Sequence, residues 1–137
     1  NVMGPGDRKA NRKKNAIQWM INELKADRDV KMYDNGSHCR DIMHVDDVCR
    51  AIKLVMDKGE LNETYNIGSG NPTSVSEIMS LAKHFTRSRG ELLNMEPPEF
   101  HKNVQTQNFW MDTTKLKELG FAQHITNEFL VKDLCIL

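Results

Sequence analysis

An α/β fold is predicted for this chain by three features of its sequence. Short apolar, strand-like runs alternate with longer segments whose apolar residues recur every three or four positions. Helical segments open on Asp, Ser or Thr and several close on Gly. No internal repeat or low-complexity tract interrupts this alternation, which excludes a bundle or a sandwich.

The elements follow in order. Asn1-Val2-Met3 is a short apolar start that runs into the turn Gly4-Pro5-Gly6. A basic block, Arg8, Lys9, Arg12, Lys13 and Lys14, lies in a polar loop. Ala16, Ile17, Met20, Ile21 and Leu24 form one apolar helical face. Val30–Tyr33 reads as a strand, closed by the turn signal Asp34-Asn35-Gly36, and a second extended stretch covers Cys39–Val45. Asp46 is placed to cap a helix bearing Val48, Ala51, Ile52, Val55 and Met56, with Gly59 as its left-handed terminator.

Thr64–Ile67 is strand-like and ends at the loop Gly68-Ser69-Gly70-Asn71-Pro72. Ser74-x-x-Glu77 is a capping box for a helix that Gly90 is expected to stop. The stretch from Glu91 to Gln107, with Pro97-Pro98, predicts a weak strand and a long loop, and Phe109–Met111 looks extended. Asp112 is expected to cap a short helix ended by Gly120, and Thr126 to cap the last one. Met111 with Leu116, and Ile125 with Leu130, are spaced as hydrophobic staples.

Composition narrows the function. The chain has 137 residues, enough for one domain, and 39% hydrophobic content supports an ordinary core. Nineteen basic residues balance 19 acidic ones. Zero net charge argues against general affinity for nucleic acid, and the basic block has no interleaved aromatics. No apolar run approaches the ~20 residues that span a bilayer, and the start does not read as a signal peptide. Three cysteines, Cys39, Cys49 and Cys135, are too few and too scattered for a disulfide framework, so a reducing, cytoplasmic setting is expected. The chain opens on Asn1 rather than Met, as a processed protein or a piece of a longer one would.

Several constellations bear on chemistry. Gly68-x-Gly70 after a strand invites a dinucleotide-binding reading, but Thr73 stands where a third small residue is needed, so a turn is expected. His38, Cys39, His44, Asp46, Asp47 and Cys49 lie close together but match no structural zinc spacing, so no metal is expected. His84, His101 and His124 have no spaced partner and default to the surface. There is no G-x-S-x-G elbow and no H-E-x-x-H. Arg40 beside Ile42 and Met43 must meet an anion or reach water. An internal pair with Asp41 or Asp46 and a bidentate clamp on a phosphate are both open.

Three strings carry a resemblance: Asn1–Gly6, Tyr33–Val48 and Glu63–Gly70. In order and spacing they resemble the C-terminal half of the extended short-chain dehydrogenase/reductase family, which includes nucleotide-sugar epimerases and dehydratases. The late segment Asp112–Phe121 resembles the family's "D-x-x-K…LG" stretch. The resemblance implies the C-terminal part of an extended Rossmann-type epimerase fold without its glycine-rich half. Residues 1–137 would then be a single substrate-binding domain for a nucleotide-diphosphate sugar. By the same resemblance Arg40 would clamp the diphosphate, Asn1 would touch the diphosphate region, Tyr33 would border the base, and Asn66 would lie near the nucleotide end. Asp46 or Asp47 would be structural.

NAD(P) would serve the whole family protein, held mainly by the other half, with none expected on this chain alone. The family's Tyr-x-x-x-Lys pair is not formed, since Ser37 follows Tyr33 and Ser69 follows Tyr65 at that spacing. The G-x-x-G-x-x-G loop is also missing, so no catalytic residue is assigned. Gln18 stands where many members have Pro, and no late Arg appears around Gln105–Asn108. The expectation is an enzyme's substrate-binding portion, catalytically incomplete as given. The alternatives are a stand-alone nucleotide-diphosphate module and an assembly unit. Apolar surface left by a lone copy predicts a homo-oligomer, most simply a dimer.

Overall fold

The computed structural model describes residues 1–6, 10–104 and 106–136. Arg8 and Lys9 of the basic block, and Gln105, lie outside the described residues. The elements run β1 (Val2–Met3), α1 (Ala16–Lys25), β2 (Val30–Tyr33), β3 (Cys39–Arg40), β4 (Met43–His44), α2 (Val45–Lys58), β5 (Thr73–Ser74), α3 (Val75–Thr86), β6 (Leu92–Met95), α4 (Glu99–Val104), α5 (Thr114–Glu118) and α6 (Asn127–Ile136). This is the α/β alternation that the sequence predicts.

Among the described residues the strands pair in three short ladders. β1 runs parallel to β4 and β2 parallel to β6, whereas β3 pairs antiparallel with β5, setting Arg40 opposite Thr73. Helices α1, α3 and α6 pack on one another around the main core, in which Ile21, Leu24, Ile42, Ile78, Met79 and Leu130 are fully buried. A smaller core joins Met43, Ala51 and Leu116, tying α2 to α5. Gln18 is buried and donates from Nε2 to Asn22 Oδ1 (3.2 Å) and to the Leu134 carbonyl (3.4 Å). It links α1 to α6.

Local caps account for two helix starts as expected. The Ser74 hydroxyl accepts the Glu77 amide at 3.1 Å, and Thr126 Oγ1 accepts the Phe129 amide at 3.2 Å. Elsewhere the structure corrects the sequence. At α2 the cap is His44, whose Nδ1 accepts the Asp46 amide at 3.1 Å. Its Nε2 lies 3.2 Å from Asp133 on α6, so this buried ring serves two elements at once. Asp46 instead stands in the first turn, where it complements the helix dipole. Gly59 is extended (φ −67°) rather than left-handed. It is the tight approach of Val55 O, 2.5 Å from where a Cβ would stand, that favours glycine there.

Helix α3 ends at Thr86, with Arg87 taking the left-handed turn (φ 53°), well before Gly90. Neither Thr64–Ile67 nor Phe109–Met111 forms a strand. Strand-like composition is not enough where no neighbouring ladder is available. The predicted weak strand after Glu91 is β6, and the loop behind it contains α4, which Pro97-Pro98 precedes.

A cationic cavity as the candidate functional site

The strand β3 and its neighbours fix the position of Arg40. Asp41, next in the chain, is buried, and its carboxylate accepts the Ser69 hydroxyl and amide (2.7 and 2.8 Å), the Gly70 amide (3.0 Å) and the Met111 amide (3.1 Å). Burial pushes this carboxyl up, but the four hydrogen bonds outweigh burial and hold it below the ordinary carboxylate value. The Ser69 and Gly70 amides of this turn are thereby spent on an internal anion. They do not offer the free cradle that a dinucleotide pyrophosphate requires.

With Asp41 so engaged, Arg40 does not pair with it. Its Nη1 donates to the carbonyls of Cys39 and Gln107, both at 2.8 Å. Among the described residues it contacts no carboxylate, and neither Nε nor Nη2 has a hydrogen-bond partner. Asp46 points away toward His44, with 3.6 Å between its Oδ2 and Nδ1. Both internal pairs considered from sequence are therefore unformed. The segment after α4 holds the other side of β3: the Cys39 amide donates to Asn108 Oδ1 (3.0 Å) and the Phe109 amide to the Cys39 carbonyl (3.1 Å).

Arg40 lines a cavity of about 950 Å³ between α1, β2, β3 and α4. Its apolar floor includes Ile17, Met20 and Met32, and its polar wall carries Asn1 and Tyr33. Among the described residues four permanent cations border it, Arg12, Lys13, Lys31 and Arg40, and no Asp or Glu does. In a chain whose charges cancel, that concentration of one sign gives the cavity a local positive potential. His38 also lines it, with Nε2 held 2.9 Å from Asp34 Oδ2.

Of the four residues singled out from sequence, the cavity gathers Asn1, Tyr33 and Arg40. Asn66 does not border it. That exposed side chain donates from Nδ2 to the Asp112 carbonyl at 3.1 Å. The structure adds residues that sequence reasoning left aside. Arg12 and Lys13 come from the basic loop, and Arg12 Nη2 reaches the Tyr33 hydroxyl at 3.5 Å. His101 comes from α4, its ring 5.4 Å from that of Tyr33. A lone histidine with no spaced partner gives no sequence signal, and the pairing exists only because α4 folds back over the end of β2. Asp47 is wholly buried and binds Arg50 and the amides of His124 and Ile125 (3.1 and 2.9 Å), so its role is structural. Among the described residues no group of three or more His, Cys, Asp or Glu converges as a metal site.

Comparison with known proteins agrees with this architecture. The family model described as "NAD dependent epimerase/dehydratase family" matches residues 1–68. A GDP-L-fucose synthase of Oryza sativa, described as probable, is 28% identical over 130 residues, covering 91% of this chain and 38% of that protein. A dTDP-glucose 4,6-dehydratase of Streptomyces niveus is 34% identical over 97 residues, covering 70% of this chain and 28% of that protein. The crystal structure of a Thermotoga maritima UDP-glucose 4-epimerase with UDP-glucose superimposes with a TM-score of 0.85 at 29% identity. It covers 99% of this chain and 42% of the epimerase. The chain thus spans well under half the length of these relatives. Its sequence strings, its Rossmann-type epimerase architecture and these matches together show that the chain belongs to the NAD-dependent epimerase/dehydratase family.

Proposed function

We propose that this chain is the substrate-binding portion of an NAD-dependent nucleotide-sugar epimerase or dehydratase, a single domain that holds a nucleotide-diphosphate sugar and is catalytically incomplete by itself. The observation that carries this reading is Arg40. Among the described residues its guanidinium is anchored at Nη1 by two carbonyls, borders a cavity with three further cations and no acid, and keeps Nε and Nη2 unspent. Nε–H and Nη2–H present the planar fork that suits a phosphate oxygen pair. Asn1 and Tyr33 stand on the same wall. Asn66, held on Asp112, is outside that wall and on this reading shapes the turn rather than the ligand.

In the whole protein NAD(P) supplies the hydride chemistry of the family. The Gly68-x-Gly70 turn is occupied by Asp41, so the cofactor, on this reading, is held mainly by residues outside this chain. Three unbridged thiols support a cytoplasmic setting. Among the described residues no helix is long and apolar enough to cross a membrane.

The test is calorimetric titration of UDP-, dTDP-, CDP- and GDP-sugars into the wild-type chain and Arg40→Ala. Loss of a charge-assisted fork costs roughly 1.5–3 kcal/mol, more than tenfold in affinity. Equal binding by both forms removes Arg40 from the site. No binding by either leaves an assembly unit as the surviving reading.

A further inference from the structure

We infer that His101 reads the edge of the ligand's aromatic base and so sets which base the cavity prefers, an inference that rests on the nucleotide reading above. Among the rings that line the cavity, Tyr33 on β2 and His101 on α4 pack against each other. Their centroids are 5.4 Å apart and their planes are inclined by 43°. At that separation nothing slides between them, so a flat group must lie on one ring and meet the other at its rim. Stacked on Tyr33, a base meets the rim of the imidazole, where Nδ1 and Nε2 lie.

Among the described residues His101 has no hydrogen bond and no ion pair, although its ring is half-buried. The ring is nonetheless held. Phe100 stands edge-on to it at 5.8 Å and 81°, and Arg12 reaches the hydroxyl of the Tyr33 ring that it packs against. A neutral imidazole carries one donor and one acceptor, which lets it discriminate base edges that differ in donor and acceptor pattern. The relatives named above act on substrates with different bases, so one site of this architecture has to be tuned by a few side chains.

The experiment titrates UDP, dTDP, CDP, GDP and inorganic pyrophosphate into the wild-type chain, His101→Ala and His101→Phe. The wild type is expected to rank the bases by about fivefold or more, the worth of one or two hydrogen bonds. Both variants should flatten that ranking while pyrophosphate affinity stays unchanged. His101→Phe keeps a ring against Tyr33, so it separates lost packing from lost edge recognition. A ranking that survives in both variants overturns the inference, as does a wild type that binds all four equally. Pyrophosphate affinity falling along with the nucleotides also overturns it, because His101 would then shape the whole cavity. If the wild type binds neither pyrophosphate nor nucleotide, the anion-site reading itself fails.

Discussion

The Asp41 carboxylate accepts both the hydroxyl and the amide of Ser69, a residue 28 positions further along the chain. Ser69 bonds to Oδ1 while the other carboxylate oxygen, Oδ2, takes the amides of Gly70 and Met111, so one buried side chain fastens two loops beside Arg40. Asp41→Ala would strand three backbone N–H groups. We expect a loss of about 3 kcal/mol or more, read as a fall of roughly 10 °C in the thermal midpoint. A change within a degree or two would show that the loops hold without this anchor.

Acid should unfold the protein through the same groups. Burial pushes Asp47 up, but the Arg50 hydrogen bond and the amides of Ile125 and His124 pull it down further, so its folded value, like that of Asp41, is depressed. A depressed carboxylate contributes stability that is complete above its unfolded value, about 3.9, and is lost as pH falls through the folded value. Denaturant midpoints should therefore hold steady from pH 7 to 5 and decline below about pH 4. Asp47→Asn should give a shallower acid slope; an unchanged slope would exclude Asp47 as a contributor.

The three thiols should separate by reactivity. Cys135 is half-buried on α6, and burial pushes its thiol up to about 11. Cys49 is exposed on α2. Thiolate is the reactive form, so alkylation at neutral pH should label Cys49 and spare Cys135. Peptide mapping that finds Cys135 labelled first would mean that α6 opens readily.

The α2 surface bears on assembly. Ile52 and Met56, one turn apart, are 45% and 80% exposed, and Leu61 just beyond the helix is 95% exposed. We propose that this face self-associates, with Met56→Glu shifting the population toward monomer in sedimentation velocity. A wild type that sediments as a clean monomer at high concentration would refute it.

Much of this was written locally in the chain. The helical periodicity of α1, α2 and α3 and the caps at Ser74 and Thr126 depend on residues three or four apart, so sequence alone determined them. Arg40 was likewise legible as a cation in apolar company that needed an anion or water. Which of those it meets was not, because the answer turned on Asp41, and Asp41 was claimed by amides from Ser69, Gly70 and Met111. The same non-local competition decided the rest. Thr64–Ile67 has strand composition but no ladder to join, and His44 displaced Asp46 as cap while also bonding Asp133. Arg12, Lys31 and His101 share a cavity only because a loop, a strand and a late helix converge on it. Periodicity records what a segment buries; it carries no record of which distant groups it meets there.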